Sequence, residues 1–289
     1  MRDTHETSLW LELTGRGHKR NFVQFRAESR KFVQRIEWML TSERKTLIQQ
    51  VLQRDGRIVA KSFAEELGVS EDTIRRDLRE LAKDGLLQRV HGGALPSSPA
   101  VADYRAREQM SSSAKEKLAR AAATLIKPGQ IVFLDGGTTN LQLARHLPQT
   151  LQATIITHSP SIAVELAHHP SVEVELIGGR LFKHSIVSMG AVSAEAISGI
   201  HADLFFLGAT GVHPETGATT GNREEAAIKR LIARQCAETI LVATEDKIGA
   251  ASPYLILPLG KLATLVVDAG LPDRLLKPYR AAGPAIVKV

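Results

Sequence analysis

The chain has 289 residues, 43% of them hydrophobic and 24% charged, with a formal net charge of +6. That length accommodates two modest domains, each with its own core, and the composition is that of an ordinary soluble protein. No apolar run approaches the roughly 18 residues of a membrane span, the first residues lack the apolar stretch of a secretory signal, and the single cysteine cannot pair within the chain, so we expect a cytoplasmic protein with no membrane partner and no disulfides.

Residues 1–38 come first. They hold Trp10, Phe22, Phe25, Phe32 and Trp38 among recurring basic residues, with few aliphatics and no clean period. A packed core is not expected there, so the stretch reads as a leader that is disordered or not translated. Met39, directly before the first regular helical pattern, reads as a natural start.

Residues 39–95 form the next block. Ser42 is positioned to cap a helix carrying Leu47, Ile48, Val51 and Leu52 on one face, ended at Asp55-Gly56. A short second helix turns Phe63, Ala64 and Leu67 inward and stops at Gly68. Ser70 caps a third helix, with Glu71 and Asp72 at the positive end of its dipole. Ile74, Leu78 and Leu81 make its buried stripe, which leaves Thr73, Arg75, Arg76 and Arg79 on other faces. Leu86 to Ala94 reads as two short strands. Three helices and a hairpin make a winged helix-turn-helix, whose third helix enters the major groove of double-stranded DNA. Arginine suits that place because its planar fork bonds guanine O6 and N7 together. Arg89 and His91, in the wing, are within reach of phosphate or the minor groove. Acids and bases balance in this block, and an arginine-bearing helix taken alone is usually a solvated face. Arg76 and Asp77 are also read as a partial structural ion pair.

Pro96-Ser-Ser-Pro-Ala opens a linker, taken as 96–110. Residues 111–289 then alternate strand-like runs (Ile131–Leu134, Thr154–Ile156, Val172–Ile177, Leu204–Leu207, Ile240–Ala243, Leu265–Val267) with helical patterns (Lys115–Ile126, Leu141–Leu147, Ile162–His168, Glu224–Cys236). Continuous apolar strands are those buried on both faces, so this is an α/β domain with a mainly parallel sheet. Cys236 reads as a small core residue in the last helical stretch.

Ligands of such sheets bind beyond the carboxyl ends of the strands. Asp135, Gly136, Gly137, Thr138 and Thr139 sit there, between a strand and a helix. The glycines allow close backbone approach to an anion, the helix start offers free N–H groups, and the threonines add hydroxyls. Asp-Gly-Gly is equally an ordinary tight turn. The next strand ends in Thr157, His158 and Ser159. Glu225 and Lys229 share one helix face, a pattern that by itself reads as a surface ion pair. Lys247 follows a later strand. His168-His169 is the only histidine pair, and nothing shows metal-ligand spacing, so neither metal nor cofactor is expected.

Val69-Ser-Glu-Asp-Thr-Ile-Arg-Arg-Asp-Leu-Arg-Glu-Leu and Gly85-Leu-Leu-Gln-Arg-Val-His-Gly-Gly-Ala resemble the signature of the DeoR family of bacterial transcriptional regulators. The likeness extends over roughly residues 40–280. It implies that Thr73, Arg75, Arg76 and Arg79 read DNA. It also implies a sensor domain similar in fold to ribose-phosphate isomerase and coenzyme A transferase. Asp135 to Thr139 match that family's phosphate loop, Glu225 and Lys229 its acid-and-lysine helix, Lys247 its later lysine, and Lys115 a lysine ahead of the first sensor strand. Two positions depart from the pattern: Thr244 replaces a usual aspartate, and His158 stands where asparagine is common. The implied function is a repressor of a carbohydrate or polyol catabolic operon, relieved by a phosphorylated sugar and acting as a homodimer or homotetramer. The competing reading is a sugar-phosphate isomerase carrying a DNA-binding domain, with Glu225 as base. On the first reading, Asp135→Ala and Lys247→Ala spare DNA binding and remove the ligand response.

Overall fold

The computed structural model describes residues 40–98 and 103–289, so the expectations for the leader lie outside the described residues. The first unit is α1 (Thr41–Asp55), β1 (Ile58–Val59), α2 (Ala60–Glu66), α3 (Glu71–Lys83), β2 (Leu87–Val90) and β3 (Gly93–Pro96). Its three strands pair antiparallel in the order β1-β3-β2. The inward stripes meet in one core: Ile48 and Leu52 of α1, Phe63 and Ala64 of α2, and Ile74, Leu78 and Leu81 of α3. Ser70 caps α3 by accepting the Thr73 N–H at 3.1 Å. Ser42 does not cap α1. The helix starts two residues earlier, with Leu40 as its cap, because the Glu43 carboxylate already accepts the Leu40 N–H at 3.1 Å. Nor does Asp77 pair with Arg76. It turns inward, only 2% exposed, and takes two hydrogen bonds from Arg44 of α1, tying α1 to α3.

The segment read as a linker contains a helix, α4 (Tyr104–Gln109), capped by the Asp103 carboxylate, which accepts the Ala106 N–H at 2.8 Å. After it come α5 (Ser112–Ala123), β4 (Ile131–Leu134), α6 (Thr138–Arg145), β5 (Thr154–Thr157), α7 (Pro160–Leu166), β6 (Glu173–Leu176), β7 (Arg180–Phe182), β8 (Val187–Met189), α8 (Ala191–Ser198) and β9 (Ala202–Leu207). The chain continues through β10 (Gly211–His213), β11 (Gly217–Thr220), α9 (Arg223–Gln235), β12 (Cys236–Val242), β13 (Tyr254–Leu257), β14 (Thr264–Val267), α10 (Asp273–Ala281) and β15 (Ala285–Lys288). Seven strands form one parallel sheet in the order β15-β14-β12-β9-β4-β5-β6.

The apolar runs are continuous because successive side chains enter two different cores. Val132 and Leu134 pack with α5, α6 and α7, while Phe133 packs with α8, α9 and α10; Phe206 and Phe205 of β9 divide the same way. Two pieces lie outside that sheet: the hairpin β7–β8 and a three-stranded sheet β10-β11-β13. Cys236 is the first residue of β12, not a helix residue, and it is half-buried. Burial pushes its thiol up to about 12, so it stays protonated at neutral pH.

The two units touch. Ser97 bridges Ala251, the Ala251 N–H donates to Pro96 O at 3.4 Å, the Ser98 hydroxyl donates to Thr210 O, and Arg57 pairs with Glu215 at 3.1 Å.

Candidate effector site and DNA-binding surface

A parallel sheet points all its carboxyl ends to one edge, and there β4, β9 and β12 converge on a cleft. The turn from β4 into α6 is built of Gly136 and Gly137. A Cβ on Gly136 would lie 2.1 Å from Val187 Cγ1, and Gly137 has φ 124°, so side chains are excluded at the first and strained at the second. Thr138 and Thr139 follow at the start of α6, whose first N–H groups have no partner within the helix. Asn140 fastens this turn to the sheet by donating to Asp135 O at 3.0 Å and Phe206 O at 2.8 Å.

Four cationic side chains line the cleft, Arg107, Lys115, Lys229 and Lys247, against two carboxylates, Glu225 and Asp246. Lys229 of α9 lies 3.0 Å from Asp135 and 3.3 Å from Glu225, and donates to Gly208 O at 2.7 Å. The pair with Glu225 is therefore buried at 4% exposure on each side, not a surface pair. Glu225 also accepts from the Thr220 hydroxyl. Burial raises the Glu225 carboxyl, but Lys229 and the Thr220 bond outweigh it and hold it below the usual range. Lys115 donates to the carbonyls of Arg107 and Met110, which close α4. Lys247 is the cation least compensated. Its ammonium makes a 3.4 Å contact to the Thr139 hydroxyl, and burial among Lys115, Arg107 and Lys229 pushes it down to about 8.

Asp135, Thr157, His158 and Ser159 come together behind the cleft wall and do not line it. Asp135, fully buried, accepts from His158 Nε2 at 2.8 Å and from the Gly208 N–H at 2.7 Å. Burial raises its carboxyl, but Lys229 and His158 win and hold it low. Thr157 donates to Leu134 O and Ser159 to Ile186 O, so both tie strands to loops. Thr244 is buried with its hydroxyl unpartnered. Arg107, Asn140, Ser185, Thr210 and Asp246 line the cleft and were not anticipated. The Pro/Ser composition of the linker hid Arg107; the lysine two places on from Glu245 was the available pointer to Asp246.

No group of histidines, cysteines and carboxylates could hold a metal among the described residues. His169 Nδ1 accepts the Ser171 and Val172 N–H groups at 3.3 Å, a turn contact. Among them no helix is long and apolar enough to cross a membrane.

On the winged unit, Arg75, Arg76 and Arg79 are exposed on α3 and Thr73 is half-exposed beside the Ser70 cap. Arg75 pairs with Glu71 one turn back at 2.7 Å. Arg89 and His91 are exposed on β2 and in the β2–β3 turn. Arg75 and Arg89 border one crevice between α3 and the wing, floored by Gly92 and Gly93.

A winged unit with an arginine-bearing third helix, joined to an α/β domain with a cation-rich cleft, defines a DNA-binding transcriptional regulator. The chain belongs to the DeoR family: the DeoR-like helix-turn-helix domain matches residues 44–99 and the DeoR C terminal sensor domain matches residues 110–269. It is 34% identical over 252 residues to the HTH-type transcriptional regulator GlpR of Haloferax volcanii, covering 86% of this chain and 98% of that one. It is 33% identical over 232 residues to the HTH-type transcriptional repressor GlcR of Bacillus subtilis, covering 80% and 89%. Among solved structures, ribose 5-phosphate isomerase A from Methanocaldococcus jannaschii aligns with 18% identity and a TM-score of 0.36, over 47% of this chain and 54% of that one.

Proposed function

We propose that this regulator represses a carbohydrate or polyol catabolic operon and releases its operator when a phosphorylated sugar or polyol fills the cleft. In this reading residues 39–95 bind DNA, 96–110 connect, and 111–289 sense. The observation that carries it is the uncompensated positive charge of the cleft at the start of α6. Asp135 and Glu225 match Lys229, but Lys247 is buried without a carboxylate bonded to it, beside Arg107 and Lys115. A phosphate dianion supplies the missing charge, accepts the free N–H groups of the helix start, and favours the charged form of Lys247. Glu225 and Lys229 then shape the sugar end of the site.

We read the site as one of binding and not of catalysis. Glu225 has one oxygen on Lys229 and the other on Thr220, and is held ionised, which leaves it a weak base for proton abstraction. The DNA-reading set is Ser70, Thr73, Arg75, Arg76, Arg79, Arg89 and His91. The chain acts in the cytoplasm as a homodimer or homotetramer, since paired half-sites are the usual target of such helices. Release requires that effector bind the two conformations with different affinity.

The test is fluorescence anisotropy of the protein's own upstream DNA at fixed salt, with a panel of sugar phosphates and the matching free sugars. Salt is fixed because phosphate contacts make DNA affinity steeply salt-dependent. Release by one phosphorylated sugar and not by its free sugar supports the reading. Tight DNA binding indifferent to the whole panel removes the sensor half of it.

A further inference from the structure

The connection between the two units is attached to the cleft at both of its described ends. At one end the Ser98 hydroxyl donates to Thr210 O, and Thr210 lines the cleft. At the other, the C-terminal end of α4 lines the cleft through Arg107 and Met110, with its closing carbonyls held by Lys115 and a 3.4 Å contact from the Thr138 hydroxyl to Arg107 O. Arg107 itself reaches into the cleft. Its guanidinium sits 5.7 Å from the centre of the Tyr104 ring and donates through Nη2 to His184 O at 2.7 Å. That bond and that ring fix the group while leaving its Nε buried without a hydrogen-bond partner. A buried guanidinium N–H with nothing to bond is costly, and a planar fork held in place is what an anionic oxygen pair bonds most strongly.

We propose that Arg107 is an effector-binding residue, so that the segment leading to the DNA-binding unit is itself one wall of the sugar-phosphate site. This rests on the reading of the cleft as a phosphate site and adds the route by which occupancy is felt. An anion bonded by Arg107 and Lys247 bridges α4 to the far wall. It also competes for Lys115, which otherwise holds the end of α4. Filling the site therefore alters the hold on α4, and α4 continues directly into the chain that carries the winged unit.

The experiment is calorimetric titration of the full chain with inorganic phosphate at fixed ionic strength, on wild type, Arg107→Gln and Lys247→Gln. Wild type binds phosphate, and each substitution weakens it by about tenfold or more, as loss of a charge-assisted hydrogen bond requires. Wild-type affinity in Arg107→Gln, with Lys247→Gln weakened, overturns the role of Arg107 and leaves the phosphate site standing. No binding by wild type, or full binding by both variants, overturns both. Arg107→Gln could fail to fold, so a second measurement uses the unaltered chain: modification by phenylglyoxal, read by mass spectrometry. Phosphate slows modification of Arg107 several-fold and leaves exposed Arg54 unchanged. Equal rates at Arg107 with and without phosphate overturn the proposal.

Discussion

His158 Nε2 lies 2.8 Å from Asp135 Oδ1, and neither side chain has any exposed surface. The other ring nitrogen faces Ser188 O at 3.0 Å. The ring therefore ties the buried Asp135 carboxylate to the main chain of β8. His158→Leu strands the Asp135 carboxylate with fewer partners and lowers sensor-domain stability by about 2–3 kcal/mol. His158→Asn, which still donates, costs less. Denaturant unfolding ranks the two.

That hub changes what Asp135→Ala does. The substitution leaves Lys229 buried beside one carboxylate instead of two, and frees the Gly208 N–H. It therefore destabilises the sensor domain by about 3–5 kcal/mol, in addition to removing the ligand response. A wild-type unfolding midpoint would place Asp135 outside the structural hub.

If the cleft takes phosphate as proposed, its affinity has a pH limb set by Lys247. Burial comes first and Lys115, Arg107 and Lys229 add to it, against Asp246, to bring this ammonium down to about 8 from 10.5. Between those values the unfolded chain holds more protons at this position, so ligand-free stability rises with pH there. Phosphate needs the charged form, so its affinity falls above about pH 8 by up to about tenfold per unit, with proton uptake on binding. Lys115, also lowered by burial, acts on the same side. Titrations in buffers of different ionisation enthalpy measure the uptake, and Lys247→Met removes most of it. A pH-independent affinity from 7 to 9 would assign the anion to other groups.

Gly136→Ala tests the turn. Its methyl group would collide with Val187, which is fully buried and cannot swing away. The expected cost is about 1–3 kcal/mol, with weaker phosphate binding because the loop must shift. A variant that melts and binds as wild type does would show that the turn has slack.

In the winged unit, Asp77→Ala leaves Arg44 buried without its carboxylate and costs about 3–5 kcal/mol. Differential scanning calorimetry should show the loss in the transition of residues 40–98 alone. Arg76→Ala and Arg79→Ala instead weaken operator affinity by about 1–3 kcal/mol at unchanged stability. Arg75→Ala costs less, because Arg75 gives up its bond to Glu71 when it reaches a base. Anisotropy at fixed salt separates the three.

Much of this architecture was legible in the residues. The stripe of Ile74, Leu78 and Leu81 specified which face of α3 turns in, and the paired cores explain the unbroken runs of β4 and β9. Burial was not legible at Glu225 and Lys229, since helical spacing is the same for a surface pair and for one sealed under a loop. The sheet β10-β11-β13 escaped notice because Gly217-Ala-Thr-Thr has neither apolar alternation nor length. Thr157, His158 and Ser159 do stand at a strand end, but a strand end has two sides, and these residues face the interior. Arg107 was lost because a six-residue helix carries too few turns for a period to show.

The seam between Pro96–Ser97 and Ala251 is made by main chain, and main-chain pairing is indifferent to side-chain identity. Among the described residues the ion pair across the boundary, Arg57 with Glu215, is exposed at both ends and contributes little. A winged unit of different DNA preference can accordingly be spliced in ahead of Ser97, where β3 is complete, while residues from Ser97 onward stay with the sensor. Such chimaeras would keep their chemical input and acquire a new address on the chromosome, which makes this joint a natural splice point for building reporters of whatever the cleft binds.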